Sequence, residues 1–209
     1  MLITFEGIDA SGKSTQVKPL AETLIDKGFD TIITRQPGGT TIGKAIREIL
    51  LNPENREMIP ETEVLLYVAD RLQHIKQVIE PALSEGKIVL CDRYHDATMA
   101  YQGAGRQLDL SWLNEIRKRF IPAPDLTFWL DISVETSQAR LQKRNETMNT
   151  ENCRLEREEI TFFERIRAGY RQFAQQDPKR YVIIDAELDT TTISKQITET
   201  VLKHLKDRS

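Results

Sequence analysis

An α/β fold, a three-layer αβα arrangement around a five-stranded parallel sheet, is predicted by three features of this 209-residue sequence. Short β-rich runs alternate with helical patterns from end to end, no repeat or Gly/Ser linker breaks that alternation, and a glycine-rich turn joins the first run to the first helix. The predicted strands are Leu2–Glu6, Thr31–Thr34, Ile88–Cys91, Leu126–Asp131 and Tyr181–Ile184, each brief and bounded by polar or turn residues. Helical patterning begins at Lys13–Lys27 and ends at Thr191–Lys206, where Ile193, Ile197, Val201 and Leu205 recur at every fourth position. Alternating units of this kind bury a parallel sheet on both faces and gather ligands at the carboxyl ends of the strands. One domain spanning residues 1–209 is expected, with a helical or loop lid at about 140–158. There the run from Arg140 to Glu158 has almost no apolar periodicity, and it reads equally as a mobile flap or as a solvated helix end with a surface loop.

Composition narrows the partners. Hydrophobic residues at 39% and charged residues at 29% suit a globular chain and are too apolar for a disordered one. A formal net charge of −3 offers no whole-molecule attraction to nucleic acid, so an anionic ligand must be held by local arginines. The two cysteines, Cys91 and Cys153, have neither metal spacing nor a disulfide framework, which suits a reducing cytoplasm. No apolar stretch approaches the ~20 residues of a membrane helix, and Glu6 stands where a signal peptide would still be apolar. An enzyme that works in the cytoplasm, away from membranes, is expected.

The chemistry starts at Gly7-Ile8-Asp9-Ala10-Ser11-Gly12-Lys13-Ser14, followed by Thr15, which matches G-x-x-x-x-G-K-[ST] between a strand and a helix. Glycines there let successive backbone N–H groups wrap phosphates, and the helix N-terminus adds partial positive charge. Lys13 would reach the β- and γ-phosphates and Ser14 would offer its hydroxyl to Mg²⁺. ATP or GTP binding follows, but GTPases, motor ATPases and small-molecule kinases all share this P-loop, so the acceptor must be read elsewhere. No N-K-x-D guanine motif occurs, and arginines gather near the strand ends. Extra cationic charge beyond what a nucleoside triphosphate needs suggests a second phosphorylated substrate.

That second site is expected where the third strand ends in Asp92-Arg93-Tyr94 and where Thr34-Arg35-Gln36-Pro37-Gly38-Gly39-Thr40 follows the second. Asp92 would face the metal or its water shell, and Arg93 would grip an anionic oxygen through two N–H donors. The three histidines, His74, His95 and His204, fall in no nucleophile or metal constellation.

At this point the chain resembles the thymidylate kinase family, within the nucleoside monophosphate kinase group. FEGIDASGKST, TRQPGGT, LLYVADRLQH, DRYHDATMAYQGAGR and PDLTFWLD occur in that family's order and spacing. The resemblance implies transfer of the γ-phosphoryl group of ATP to dTMP with Mg²⁺, giving ADP and dTDP for dTTP synthesis, by a homodimer packed through helices. It implies Tyr67 beneath the acceptor base, Arg71 on a base carbonyl, Thr98 at the base edge, and Tyr101 and Gln102 beside the sugar, the tyrosine disfavouring a ribose 2′-hydroxyl. Tyr67 and Arg71 stand four apart, which independently allows both to face one way. Arg35, Arg47 and Arg93 are expected around the acceptor phosphate, and Asp9 beside the sugar 3′-hydroxyl or the metal-bound water. Family members carry a basic residue either in the P-loop or on the lid; Ala10 fills the P-loop position here, so Arg154 is expected over the γ-phosphate, with Arg140 and Arg144 as further ATP contacts. Asp9, Lys13, Arg93 and Arg154 are thus the expected catalytic group. Two departures stand out: Ala97 where serine is frequent, and Gln36 where glutamate is frequent, removing a hydrogen bond and a negative charge near the acceptor. A kinase for another monophosphate or a deoxynucleoside, and a nucleotide-binding switch, remain the alternative readings.

Overall fold

A computed structural model describes residues 1–207, so the last two residues of the expected domain, Arg208 and Ser209, lie outside the described residues. Five parallel strands, β1 (Leu2–Glu6), β2 (Thr31–Arg35), β3 (Ile88–Asp92), β4 (Leu126–Asp131) and β5 (Tyr181–Asp185), form one sheet in the order β2-β3-β1-β4-β5. β2, β3 and β5 each run one residue further than the sequence pattern suggests, ending on Arg35, Asp92 and Asp185. Parallel pairing carries these charged ends into register, Arg35 opposite Asp92 and Asp131 opposite Asp185, where side-chain polarity does not interrupt a backbone ladder. Chain order reverses on either side of β1, so the crevice beyond its carboxyl end is the switch point where an open α/β sheet takes ligands.

Alternation along the strands divides the core. Ile88 and Leu90 of β3 join the cluster that α1 (Lys13–Asp26) and α9 (Thr190–Lys206) cover, whereas Val89 and Cys91 face Ile75, Ile79 and Ala82. Large aromatic side chains of the main core, Phe5, Phe128, Trp129, Phe163 and Tyr170, are almost wholly removed from water, and each such side chain stabilises the fold by roughly 1.5–3 kcal/mol. α8 (Ile160–Gln176) packs on β4 and β5 and on the segment after β3. That segment is a single α-turn, α5 (His95–Thr98), followed by a π-helical stretch, Met99–Gly105.

Two further pieces shape the site. α2 (Thr41–Leu51) packs on α3 (Pro60–His74), and α3 continues through a π-helical turn, Ile75–Ile79, into α4 (Glu80–Ser84). α6 (Leu110–Phe120) leads into β4. α7 (Val134–Met148) follows β4, and the expected lid therefore comprises the last two turns of α7, an irregular stretch, and a short 3-10 turn, Leu155–Arg157.

Candidate active site

The first strand-to-helix turn owes its shape to backbone that only particular residues tolerate. Gly7 has φ 141° and Gly12 φ 94°, and a Cβ on Gly7 would lie 2.6 Å from the carbonyl oxygen of Leu130, so the cradle sits hard against β4. Ala10 also takes a left-handed conformation, φ 55°. Lys13 Nζ donates to the carbonyls of Gly7 at 3.1 Å and Ile8 at 2.7 Å and to Ser11 Oγ at 3.2 Å. Burial, then the neighbouring Arg93, pulls the Lys13 pKa down to about 8. The turn lines a cavity of about 370 Å³ together with Ser14, Thr15, Arg35 and Asp92. Ser14 Oγ donates to Asp92 Oδ2, joining the start of α1 to the end of β3.

A second cavity, about 290 Å³, lies beside the first. Its walls are Tyr67 and Arg71 of α3, Gln36 and Pro37 after β2, Ala97, Thr98, Tyr101 and Gln102 after β3, and Leu51, Cys153 and Leu155. Arg71 is 1% exposed and donates from Nε to Gln36 Oε1 at 2.7 Å, from Nη1 to Thr98 Oγ1 at 2.8 Å and from Nη2 to the Tyr94 carbonyl at 2.9 Å. Arg47 reaches from α2, donating to the Pro37 carbonyl at 3.0 Å, and lines both cavities. Arg35 is exposed and lines the phosphate cavity, not the second one.

Asp9 and Arg93 form the wall between the cavities. Arg93 sits at φ 67°, a left-handed backbone that costs a non-glycine residue of order 1 kcal/mol. It donates to the Gly7 carbonyl at 3.0 Å, to Asp9 Oδ1 at 2.6 Å and to Tyr101 Oη at 2.9 Å, while Tyr101 Oη donates to Asp9 Oδ2 at 2.9 Å. Burial opposes the charge on Asp9, but Arg93 and Lys13 more than offset it and hold the carboxyl below its ordinary range. Behind the corner, buried Glu6 accepts from Tyr94 N and the Tyr170 hydroxyl at 2.8 Å each. Burial and the nearby Asp96 push its pKa up to about 7.

Two lid arginines expected at the donor phosphates lie elsewhere in this structure. Arg154 is not poised over the phosphate cradle: it is 9% exposed, donates from Nη2 to Glu63 Oε2 and from Nε to the Leu50 carbonyl at 2.9 Å, and lines neither cavity. A buried carboxylate needs cationic partners, and Glu63, 0% exposed, takes Arg154 together with Arg106 at 3.2 Å. Arg140 also lines neither cavity, its Nη2 donating to the Ala186 carbonyl at 3.0 Å. Arg144 is the lid arginine that borders both cavities; it is half-exposed and pairs with Glu156 at 3.0 Å.

A phosphate-wrapping turn that shares a cationic wall with an aromatic and arginine-lined pocket agrees with what comparison of the chain finds. The family model for thymidylate kinase matches residues 5–197. The chain belongs to the thymidylate kinase family. It is 43% identical to a thymidylate kinase of an Exiguobacterium species over 99% of this chain and 96% of that one. It is 46% identical to that of Halothermothrix orenii over 94% of each. The crystal structure of thymidylate kinase from Ehrlichia chaffeensis superposes with a TM-score of 0.76 at 31% identity, covering 96% of this chain and 98% of that one.

Among the described residues no cluster of three or more His, Cys, Asp or Glu could hold a metal ion. What the chain offers is the hard-oxygen pair of Ser14 and Asp92 at the rim of the phosphate cavity. That donor set fits Mg²⁺, which binds through one or two protein oxygens with phosphates and water completing its shell. Several residues that build the site escaped sequence reasoning: Glu63, Asp70, which accepts from Gly38 N at 2.9 Å, and the Gln36 bridge to Arg71. A signal existed for two of them, because Glu63, Tyr67 and Arg71 recur every fourth position on α3, and Asp70 adjoins that stripe.

Proposed function

We infer that the chain transfers the γ-phosphoryl group of ATP to dTMP, giving ADP and dTDP for dTTP synthesis. The observation that carries this is the shared wall: Asp9, Arg47, Arg93 and Arg144 border both the phosphate cavity and the aromatic pocket, so two anions held there would face each other across it. Phosphoryl transfer asks for alignment and charge neutralisation more than covalent help. An acceptor phosphate oxygen forms the new bond to the γ-phosphorus as the bond to the β,γ-bridging oxygen breaks, and ADP carries the leaving electron pair. No side-chain nucleophile is needed.

In this reading Gly7 to Thr15 wrap the donor phosphates and Lys13 turns from the Gly7 and Ile8 carbonyls onto them. Arg93 and Arg144 neutralise the charge that develops on the transferring group, with Arg144 taking the lid role expected of Arg154. Ser14 and Asp92 would hold Mg²⁺, which supplies charge neutralisation on the donor phosphates. Tyr67 supports the acceptor base; Arg71 has five N–H donors, of which three are occupied, and its remaining two would be available to a base carbonyl in the cavity that it lines. Thr98 and Gln102 border the base and sugar, Tyr101 closes the space at the 2′ position, and Arg35 and Arg47 attract the acceptor phosphate.

The single continuous sheet supports one kinase unit, and no helix among the described residues is long and apolar enough to cross a membrane. We place the enzyme in the cytoplasm on its two free cysteines, with small-molecule nucleotides, not nucleic acid, as partners. Ile49 of α2 and Leu65 of α3, 47% and 56% exposed, support a homodimer packed through these helices, which light scattering tests. The acceptor is tested by steady-state rates with dTMP, dUMP, dCMP, UMP and thymidine: dTMP is expected to have the highest kcat/KM. Preference for thymidine, or ADP release indifferent to every acceptor, would overturn the assignment.

A further inference from the structure

Arg71 is a buried cation whose hydrogen-bonding side-chain partners, Gln36 and Thr98, are both neutral, the carboxylates of Asp70 and Glu6 acting on it only through space. Its Nε bond runs to Gln36, an amide whose two ends are chemically opposite, so the bond holds only if Oε1 rather than the NH₂ group faces Arg71. The other end of that amide meets His74: Gln36 Nε2 lies 2.7 Å from His74 Nδ1, and His74 Nε2 lies 2.5 Å from Thr34 Oγ1. Arginine has no acceptor, so the polarity propagates in one direction. Gln36 Oε1 must accept from Arg71, Gln36 Nε2 must donate to His74 Nδ1, and the imidazole must therefore carry its proton on Nε2 and donate to Thr34.

Packing keeps the ring in place. His74 is 0% exposed, and a Cβ on Gly39 would stand 2.6 Å from both its Cδ2 and its Nε2. The ring thus lies against the turn after β2, in space that only a glycine at position 39 leaves open.

We propose that His74 is a positioning residue for the acceptor base: as a neutral Nε2–H imidazole it fixes the orientation of the Gln36 amide, which in turn fixes the rotation of the Arg71 guanidinium. His74 touches no substrate in this arrangement. A carboxylate at position 36 would need no such orienter, because its two oxygens are equivalent and either accepts from Arg71. The amide at this position is what makes the histidine necessary. This inference rests on Arg71 reading the acceptor base, as proposed above.

The test compares His74→Leu with His74→Asn, whose side-chain oxygen can occupy the position of Nδ1 and accept from Gln36. His74→Leu is expected to raise KM for dTMP about tenfold, the worth of one hydrogen bond to a charged group, with kcat and KM for ATP within about twofold of the parent. His74→Asn should restore most of that KM. In a Gln36→Glu background, adding His74→Leu should shift KM for dTMP less than about twofold relative to Gln36→Glu alone, a coupling that a double-mutant cycle measures. A purely structural histidine would instead give equal losses in both backgrounds, scaling with melting temperature, and that result overturns the proposal. So would an unchanged KM for dTMP in a folded His74→Leu protein. If His74→Leu does not fold, ¹⁵N NMR of the parent decides: an Nδ1–H tautomer overturns the proposal and an Nε2–H tautomer supports it. Arg71→Lys separates the two readings, since a parental KM for dTMP there defeats the base-contact assignment itself. A raised one, beside an unchanged His74→Leu, defeats only the role of His74.

Discussion

The phosphate cradle and the acceptor pocket share Asp9 and Arg93, yet opposite kinds of structure hold them. The cradle is one continuous stretch whose form is set by backbone: left-handed residues at Gly12 and Ala10, and Gly7 pressed against Leu130. The pocket is assembled from six separate segments, and polar side chains in and around it hold one another, Arg71 through Gln36 and Thr98, and Glu63 through Gln102, Arg106 and Arg154. Backbone-made sites should fail abruptly when their glycines change, because no side chain can move to relieve the strain. Sites made of side chains should fail by degrees and show coupling between neighbours.

The largest effect is therefore expected in the cradle. Gly7→Ala places a Cβ 2.6 Å from the backbone oxygen of Leu130 at φ 141°, a clash with an atom that cannot swing away. Loss of ATP binding and a drop in kcat/KM of about 10³-fold or more are expected, since cradle and lysine supply most of the phosphate stabilisation. A near-parental rate for this variant would break the contrast between the two regions.

Two lid arginines sharpen it next. Arg144→Ala should lower kcat about 10²-fold, within the range for removal of one charge-stabilising donor, and leave the melting temperature unchanged because its side chain is half-exposed. Arg154→Ala should do the reverse: kcat changes little, while stability falls by about 2–4 kcal/mol because buried Glu63 loses the more buried of its two arginine partners. Exchange of these two phenotypes would return the catalytic role to Arg154.

The smallest expected effect is on pH dependence. Burial disfavours the charged form of Lys13, so in the free enzyme the ammonium is lost as pH rises through about 8. kcat/KM for ATP should fall above that pH, by up to about tenfold per unit, while kcat, which reports the bound complex, holds to higher pH. A flat kcat/KM profile up to pH 9.5 would show that Lys13 keeps its charge in the free enzyme despite its burial.

Legibility in the sequence followed the same division. The P-loop could be read because its chemistry lies in eight consecutive residues, and the strands because their burial leaves short apolar runs bounded by polar ends. Tyr67 and Arg71 were placed by family resemblance, and their common face by helical spacing, and both line the pocket. Arg154 could not be placed, because a polar run shows no periodicity and the residue that claims this arginine, Glu63, lies 91 positions away. Gln36 appeared only as a missing negative charge, yet it is 3% exposed and bridges Arg71 to His74.

Sequence alone therefore determined the parallel α/β plan, the cradle and the class of reaction, since local backbone demands and apolar patterning are written in neighbouring residues. Tertiary structure alone decided which lid arginine borders the cavity at the P-loop, which one is consumed by a buried carboxylate, and that Arg71, Gln36 and His74 meet in one hydrogen-bonded chain. Those choices depend on pairings between distant charges and on the direction of hydrogen bonds, and neither exists until the chain has folded.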